Sequence, residues 1–218
     1  MRPYPLPVIL VESCCESLED VEASIEAGAD RIELCAALQT GGLTPDPELL
    51  TRAVSLGTPV MVLVRPRTGD FCYTLQEHRQ AVLDVRFAVA SGAAGVVVGC
   101  LTGDGQVAAE QLRDLVDAAQ GRPVTFHRAF DDTADQWAAY EACAQAGVLR
   151  ILTSGGAASA LAGANRLREL VAADGPGILV AGGVRASHVT RLVQATGARE
   201  IHARASAIPD LIRALRNS

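Results

Sequence analysis

Eight short apolar runs, many of them β-branched, lie at 7–13, 31–35, 59–65, 95–101, 123–128, 150–154, 178–182 and 200–204. Between them lie segments such as 17–27, 74–90, 108–119 and 186–195, rich in Ala, Leu and Glu, with the apolar spacing of a helix buried on one face. Strand then helix, repeated eight times in 218 residues, leaves roughly 27 residues per unit, the lower end of what a (β/α)8 barrel needs. Gly28, Gly92, Gly147 and Gly197 each stand where a helical segment ends and the next run begins, the position of a helix C-cap. No Ser- or Pro-rich linker divides the chain, so residues 1–218 are expected to form a single α/β domain, a (β/α)8 TIM barrel. An open doubly wound sheet is the alternative; eight near-equal units without a GxGxxG turn favour closure.

Charge and composition then remove whole classes of partner. A net charge of −6 repels a phosphate backbone, and 4% aromatic residues leave few platforms for stacking bases, so no nucleic acid is expected. No apolar run approaches the roughly 18 residues a membrane span requires. Residues 1–10 carry three prolines and lack the apolar core of a signal peptide, which points to a cytoplasmic location. In that compartment the six cysteines are expected to be reduced thiols, and with no CxxC among them any metal site must be assembled from distant segments.

Strand parity says which side chains meet. Outward positions of a parallel barrel face helices and are apolar, so their neighbours face the axis, and those at the strand C-termini line the mouth. This sends Glu12, Cys14, Glu33, Cys35, Arg65, Thr125, His127, His202 and Arg204 inward, and Cys15 outward. Glu12 and Glu33 are expected to pair with Arg65, Arg128 and Arg204, because buried charges need partners. On that reading removal of Glu33 would strand a guanidinium, at a cost of about 3 kcal/mol. The arrangement reads either as a structural network or as a site where arginines hold an anion and a Glu or His moves a proton. In the second reading Glu33 and His127 are the catalytic candidates, and Arg65, Arg67, Arg128 and the Gly182–Gly183 turn bind the anion. Glycine pairs also follow the second and sixth strands, but the loops after the seventh and eighth are where such barrels usually hold phosphate. Cys14 and Cys35, inward at adjacent strand ends, read either as packed thiols or as a site for a soft ion such as Cu(I).

Several stretches carry a more specific signal: ESC at 12–14, AGADRIELC at 27–35, GGLTP at 41–45, RPRTGDFCY at 65–73, TFHRAFD at 125–131 and LTSG at 152–155. Together the chain resembles the CutC copper homeostasis family from about residue 11 to 202. The resemblance implies a TIM barrel, a cytosolic location, often a homodimer, and Cu(I) binding at the cysteines matching Cys14 and Cys35. The chain departs from the pattern at His202-Ala203-Arg204, where relatives tend to place small hydroxyl or thiol residues after the histidine. Two functions follow: copper homeostasis, favoured by the thiol pair, or an enzyme acting on a small anionic substrate, phosphorylated ones included, favoured by the arginines.

Overall fold

The eight runs become eight parallel strands in a computed structural model that describes residues 8–216. They are β1 (Leu10–Cys15), β2 (Arg31–Leu34), β3 (Val60–Leu63), β4 (Gly95–Val98), β5 (Val124–Phe126), β6 (Arg150–Thr153), β7 (Gly177–Val180) and β8 (Glu200–Arg204). Each pairs with the next, and β8 returns to β1 with Glu12 level with both His202 and Arg31, so the barrel is closed. The strands are shorter than the apolar runs. Cys35, Arg65, His127 and Ser154 lie beyond the last paired residue of their strands, where the chain leaves the ladder to build the mouth. The start of the first run, residue 7, and most of the residues 1–10 read for a leader lie outside the described residues.

Eight helices cover the strands: α1 (Leu18–Ala27), α2 (Pro47–Ser55), α3 (Leu75–Ala90), α4 (Ala109–Ala118), α5 (Gln136–Ala146), α6 (Ala164–Val171), α7 (Val189–Thr196) and α8 (Ile208–Arg216). Their starts are encoded locally. Ser17 caps α1 by accepting from the Asp20 N–H, and Thr74 and Glu77 form a reciprocal capping box at α3. Gly28, Gly147 and Gly197 end their helices with positive φ, as the sequence predicts, whereas Gly92 sits one residue past the cap. The main core lies between sheet and helices and takes in Ile32, Leu34, Val60 and Val62 with Cys15 and Cys143. Inside the barrel, Cys14, Cys35, Met61, Leu63 and Val97 form a separate small cluster, as parity requires. Among the described residues no helix is long and apolar enough to cross a membrane.

Candidate functional site

The floor of the barrel is ionic. Arg31 at the start of β2 reaches Glu12 (2.5 Å) and Glu200 (2.6 Å), and Arg150 at the start of β6 lies 3.8 Å from Glu200 and donates to Thr125 Oγ1. This corrects the expected network: Arg31 neutralises the buried Glu12 and shares the half-buried Glu200 with Arg150, and none of Arg65, Arg128 or Arg204 bonds to Glu12 or Glu33. The parity rule that turns Glu33 inward also turns Arg31 inward, so the direction of Arg31, though not its partner, was legible in the sequence.

Above the floor, Glu12 accepts from His202 Nδ1 at 2.8 Å, and Glu33 lies 3.9 Å from the same nitrogen. Burial works to raise the Glu12 carboxyl, but His202 and Arg31 outweigh it and hold it below the ordinary carboxylate range. Burial also opposes charge on His202, yet Glu33 and Glu12 hold its imidazole above the usual value. Glu33 goes the other way: burial, reinforced by the Glu12 charge, raises its carboxyl. One Glu33 oxygen takes a 3.6 Å contact from Cys14 Sγ and the other has no hydrogen-bond partner. Glu33 therefore strands no guanidinium when removed, and the expected destabilisation belongs to Glu12 instead.

Cys14 and Cys35, as parity predicts, converge, with sulfurs 3.7 Å apart. Cys14, Glu33 and His202 bring one ligand atom each within 4.8 Å of one another. The hydrogen bond to Cys35, burial and the Glu33 charge push the Cys14 thiol well above its ordinary value.

Toward the mouth lies a cavity of about 450 Å³, lined by Cys14, Glu33, Arg65, Phe71, His127 and His202. Arg65, buried, donates to the carbonyls of Thr40, Gly42 and Gly69 and stacks 4.9 Å from the Phe71 ring; its Nε has no partner. It touches no carboxylate among the described residues. His127 caps the 3-10 turn Arg128–Asp132: its Nδ1 accepts from the Ala129 N–H at 3.1 Å, which places its proton on Nε2, and Nε2 is buried without a partner. Burial, with help from the Arg65 charge, drops its pKa to about 3, so the ring is neutral. Gly99 makes room for it, since a Cβ there would stand 2.3 Å from the imidazole.

The other expected anion ligands are placed differently. Arg67 spends all five N–H donors at home, on Glu77, Asp70, Thr68 O, Asp70 O and Cys72 O, and so clamps the loop after β3. It does not line the cavity. Arg128, half exposed, pairs with Asp131 at 2.8 Å and reaches Ser154. Arg204 is exposed at the rim. Gly182 and Gly183 line an adjoining compartment of about 340 Å³ that shares Cys14, Arg128, His202 and Arg204 with the first.

Residues 9–207 match the model of the CutC family. A protein named CutC from Agrobacterium fabrum strain C58 is 45% identical over 208 residues, 94% of this chain and 82% of that protein. Another from Klebsiella pneumoniae strain 342 is 45% identical over 200 residues, 90% and 80% of the two chains. The crystal structure of CutC from Streptococcus agalactiae, a protein named for copper homeostasis, superposes with a TM-score of 0.85 at 33% identity, covering 89% of this chain and 98% of that one.

Proposed function

Because the chain belongs to the CutC family, whose barrel it shares, we propose that its mouth binds a small organic anion and exchanges a proton with it. One observation carries this reading. Three buried polar atoms, Glu33 Oε2, Arg65 Nε and His127 Nε2, lack partners and belong to residues lining a single cavity. Buried polar groups are costly unless satisfied, and a bound anion satisfies Arg65 and His127 together. In this arrangement Arg65 supplies the charge, and the neutral His127 donates its Nε2–H to a ligand oxygen, stabilising negative charge that develops there. A ring with a pKa of about 3 is a poor base near neutrality, so the proton-moving role falls to Glu33, with His202 held beside it by Glu12. Six free cysteines, five of them buried, suit a reducing, cytosolic setting.

The test is thermal-shift screening against small carboxylates at fixed ionic strength. The parent is expected to be stabilised in a concentration-dependent way and Arg65→Gln is not. Equal responses from the two proteins, or none beyond chloride, contradict the reading.

The thiol pair favours a second reading, Cu(I) as cargo. Two sulfurs 3.7 Å apart with a carboxyl 3.6 Å from one of them fit a soft monovalent ion by donor chemistry. The raised Cys14 thiol must lose its proton for the ion to bind. Under anaerobic competition with a chelator, Cys14→Ser and Cys35→Ser are each expected to weaken Cu(I) binding at least about tenfold, since only harder donors then remain. Affinities unchanged in both variants exclude the thiol site.

A further inference from the structure

Three glycine pairs follow strands of this barrel, and only one of them has free backbone donors. After β2, Gly41 donates to Leu38 O and Gly42 to Ala37 O. After β6, Gly155 donates to Thr153 Oγ1 and Gly156 to Asp131, a carboxylate that also accepts from Thr153, Ser154 and Arg128. These two turns are internally satisfied. After β7 the chain runs through Gly182 (φ +98°) and Gly183 (φ +71°), a left-handed pair that turns successive N–H groups toward one side. Among the described residues the N–H groups of Gly182, Gly183 and Val184 donate no hydrogen bond. A Cβ on Gly183 would meet no atom within 4 Å, so the space over the turn is open.

The charge around that space has one sign. The compartment of about 340 Å³ is lined by Arg128, Arg185 and Arg204, with His202, and by no acidic residue among the described ones. Arg128 is neutralised by Asp131, but among the described residues Arg185 bonds only to its own loop at Val184 O. Unpaired guanidinium groups over free backbone donors make a site for a doubly charged, many-acceptor anion, and a phosphate monoester matches both features. The compartment adjoins the axial cavity, with which it shares Cys14, Leu38, Arg128, His202 and Arg204 as lining residues.

From this juxtaposition we infer that the Gly182–Val184 turn with Arg185 and Arg204 is a phosphate subsite, and that the ligand is a small organic acid or carbonyl compound bearing a phosphomonoester. The phosphate sits over Gly183 and the acid or carbonyl oxygen reaches Arg65 and His127. The second half of this statement rests on the function proposed above; the first half stands without it.

Isothermal titration calorimetry at fixed ionic strength separates the two, using glycolate, inorganic phosphate, 2-phosphoglycolate and 3-phosphoglycerate as probes. At least one phosphorylated acid is expected to bind about tenfold or more tighter than glycolate and inorganic phosphate alike, because one molecule spans both compartments. Gly183→Ala, whose methyl enters open space but sits at a φ of +71° that strains the turn, and Arg185→Gln, which leaves the backbone as it is, are expected to reduce the phosphorylated acids to the affinity of glycolate while leaving glycolate itself unchanged. Phosphorylated acids no tighter than glycolate, or a gain that survives both variants, overturn the subsite even if glycolate still binds through Arg65. Inorganic phosphate binding that depends on Arg185 and Gly183, with no glycolate binding, supports the subsite and removes the proposed axial anion site.

Discussion

Between pH 6.5 and pH 4 the protein is expected to lose about 3 kcal/mol of stability through His127 alone. In the folded chain the ring is neutral, with a pKa of about 3, because it is buried and faces the charge of Arg65; the rings of Phe71 and Phe126 pack around it and offer no counter-charge. Unfolded, the same imidazole titrates near its ordinary value of about 6.5. Above that pH neither state binds the proton, and the native structure is unpenalised. As pH falls from about 6.5 toward about 3 the unfolded chain takes up a proton that the native site refuses, and stability drains away over that window. His127→Asn keeps an acceptor for the Ala129 N–H and does not titrate. Urea unfolding at the two pH values is therefore expected to show the parent losing about 3 kcal/mol more than the variant. Parallel losses would show that His127 is solvated and protonates in place.

Glu12→Ala is expected to cost about 3–5 kcal/mol, a fall in Tm of about 10 °C for a domain of this size. The carboxylate is fully buried and accepts from both Arg31 and His202; without it, a buried guanidinium is left with Glu200 and the half-buried His202 ring with the distant oxygen of Glu33. Glu33→Ala is the matched control, since it removes a carboxyl whose neighbours are a thiol, one long imidazole contact and no guanidinium. Denaturation of the two variants side by side should separate them by several kcal/mol; equal losses would place the counter-charge of the barrel evenly on both acids.

The barrel was legible because its signal is periodic and local. β-branched runs, Ser17 and Thr74 ahead of helices and Gly28 and Gly147 behind them each act through bonds within a few residues. Parity carried this into the interior and brought Cys14, Cys35, Glu33, Arg65 and His127 to one end of the axis. Partner choice was not legible. Whether Glu12 meets Arg31 or Arg65 depends on strand stagger, which sets the height of each side chain and leaves no mark on spacing along the chain. Arg67, expected to bind the anion beside Arg65, stands where the chain has left the strand, so strand parity does not direct it and its donors turn to its own loop. The hydrogen-bond accounts of the three glycine pairs were equally hidden: only the tertiary position of Asp131 shows that the Gly155–Gly156 turn is already filled.

In the proposed function a neutral His127, with its proton on Nε2 beside Arg65, meets an anion in the axial cavity. Proton–nitrogen NMR of the protein carrying isotope-labelled histidine reads this atom directly. The expected result is a His127 resonance with Nδ1 unprotonated and Nε2 protonated down to about pH 4, and an Nε2–H signal that moves when a stabilising carboxylate is added to the parent but not to Arg65→Gln. A His127 that titrates near pH 6.5, or a carboxylate that stabilises the protein without moving that signal, contradicts it.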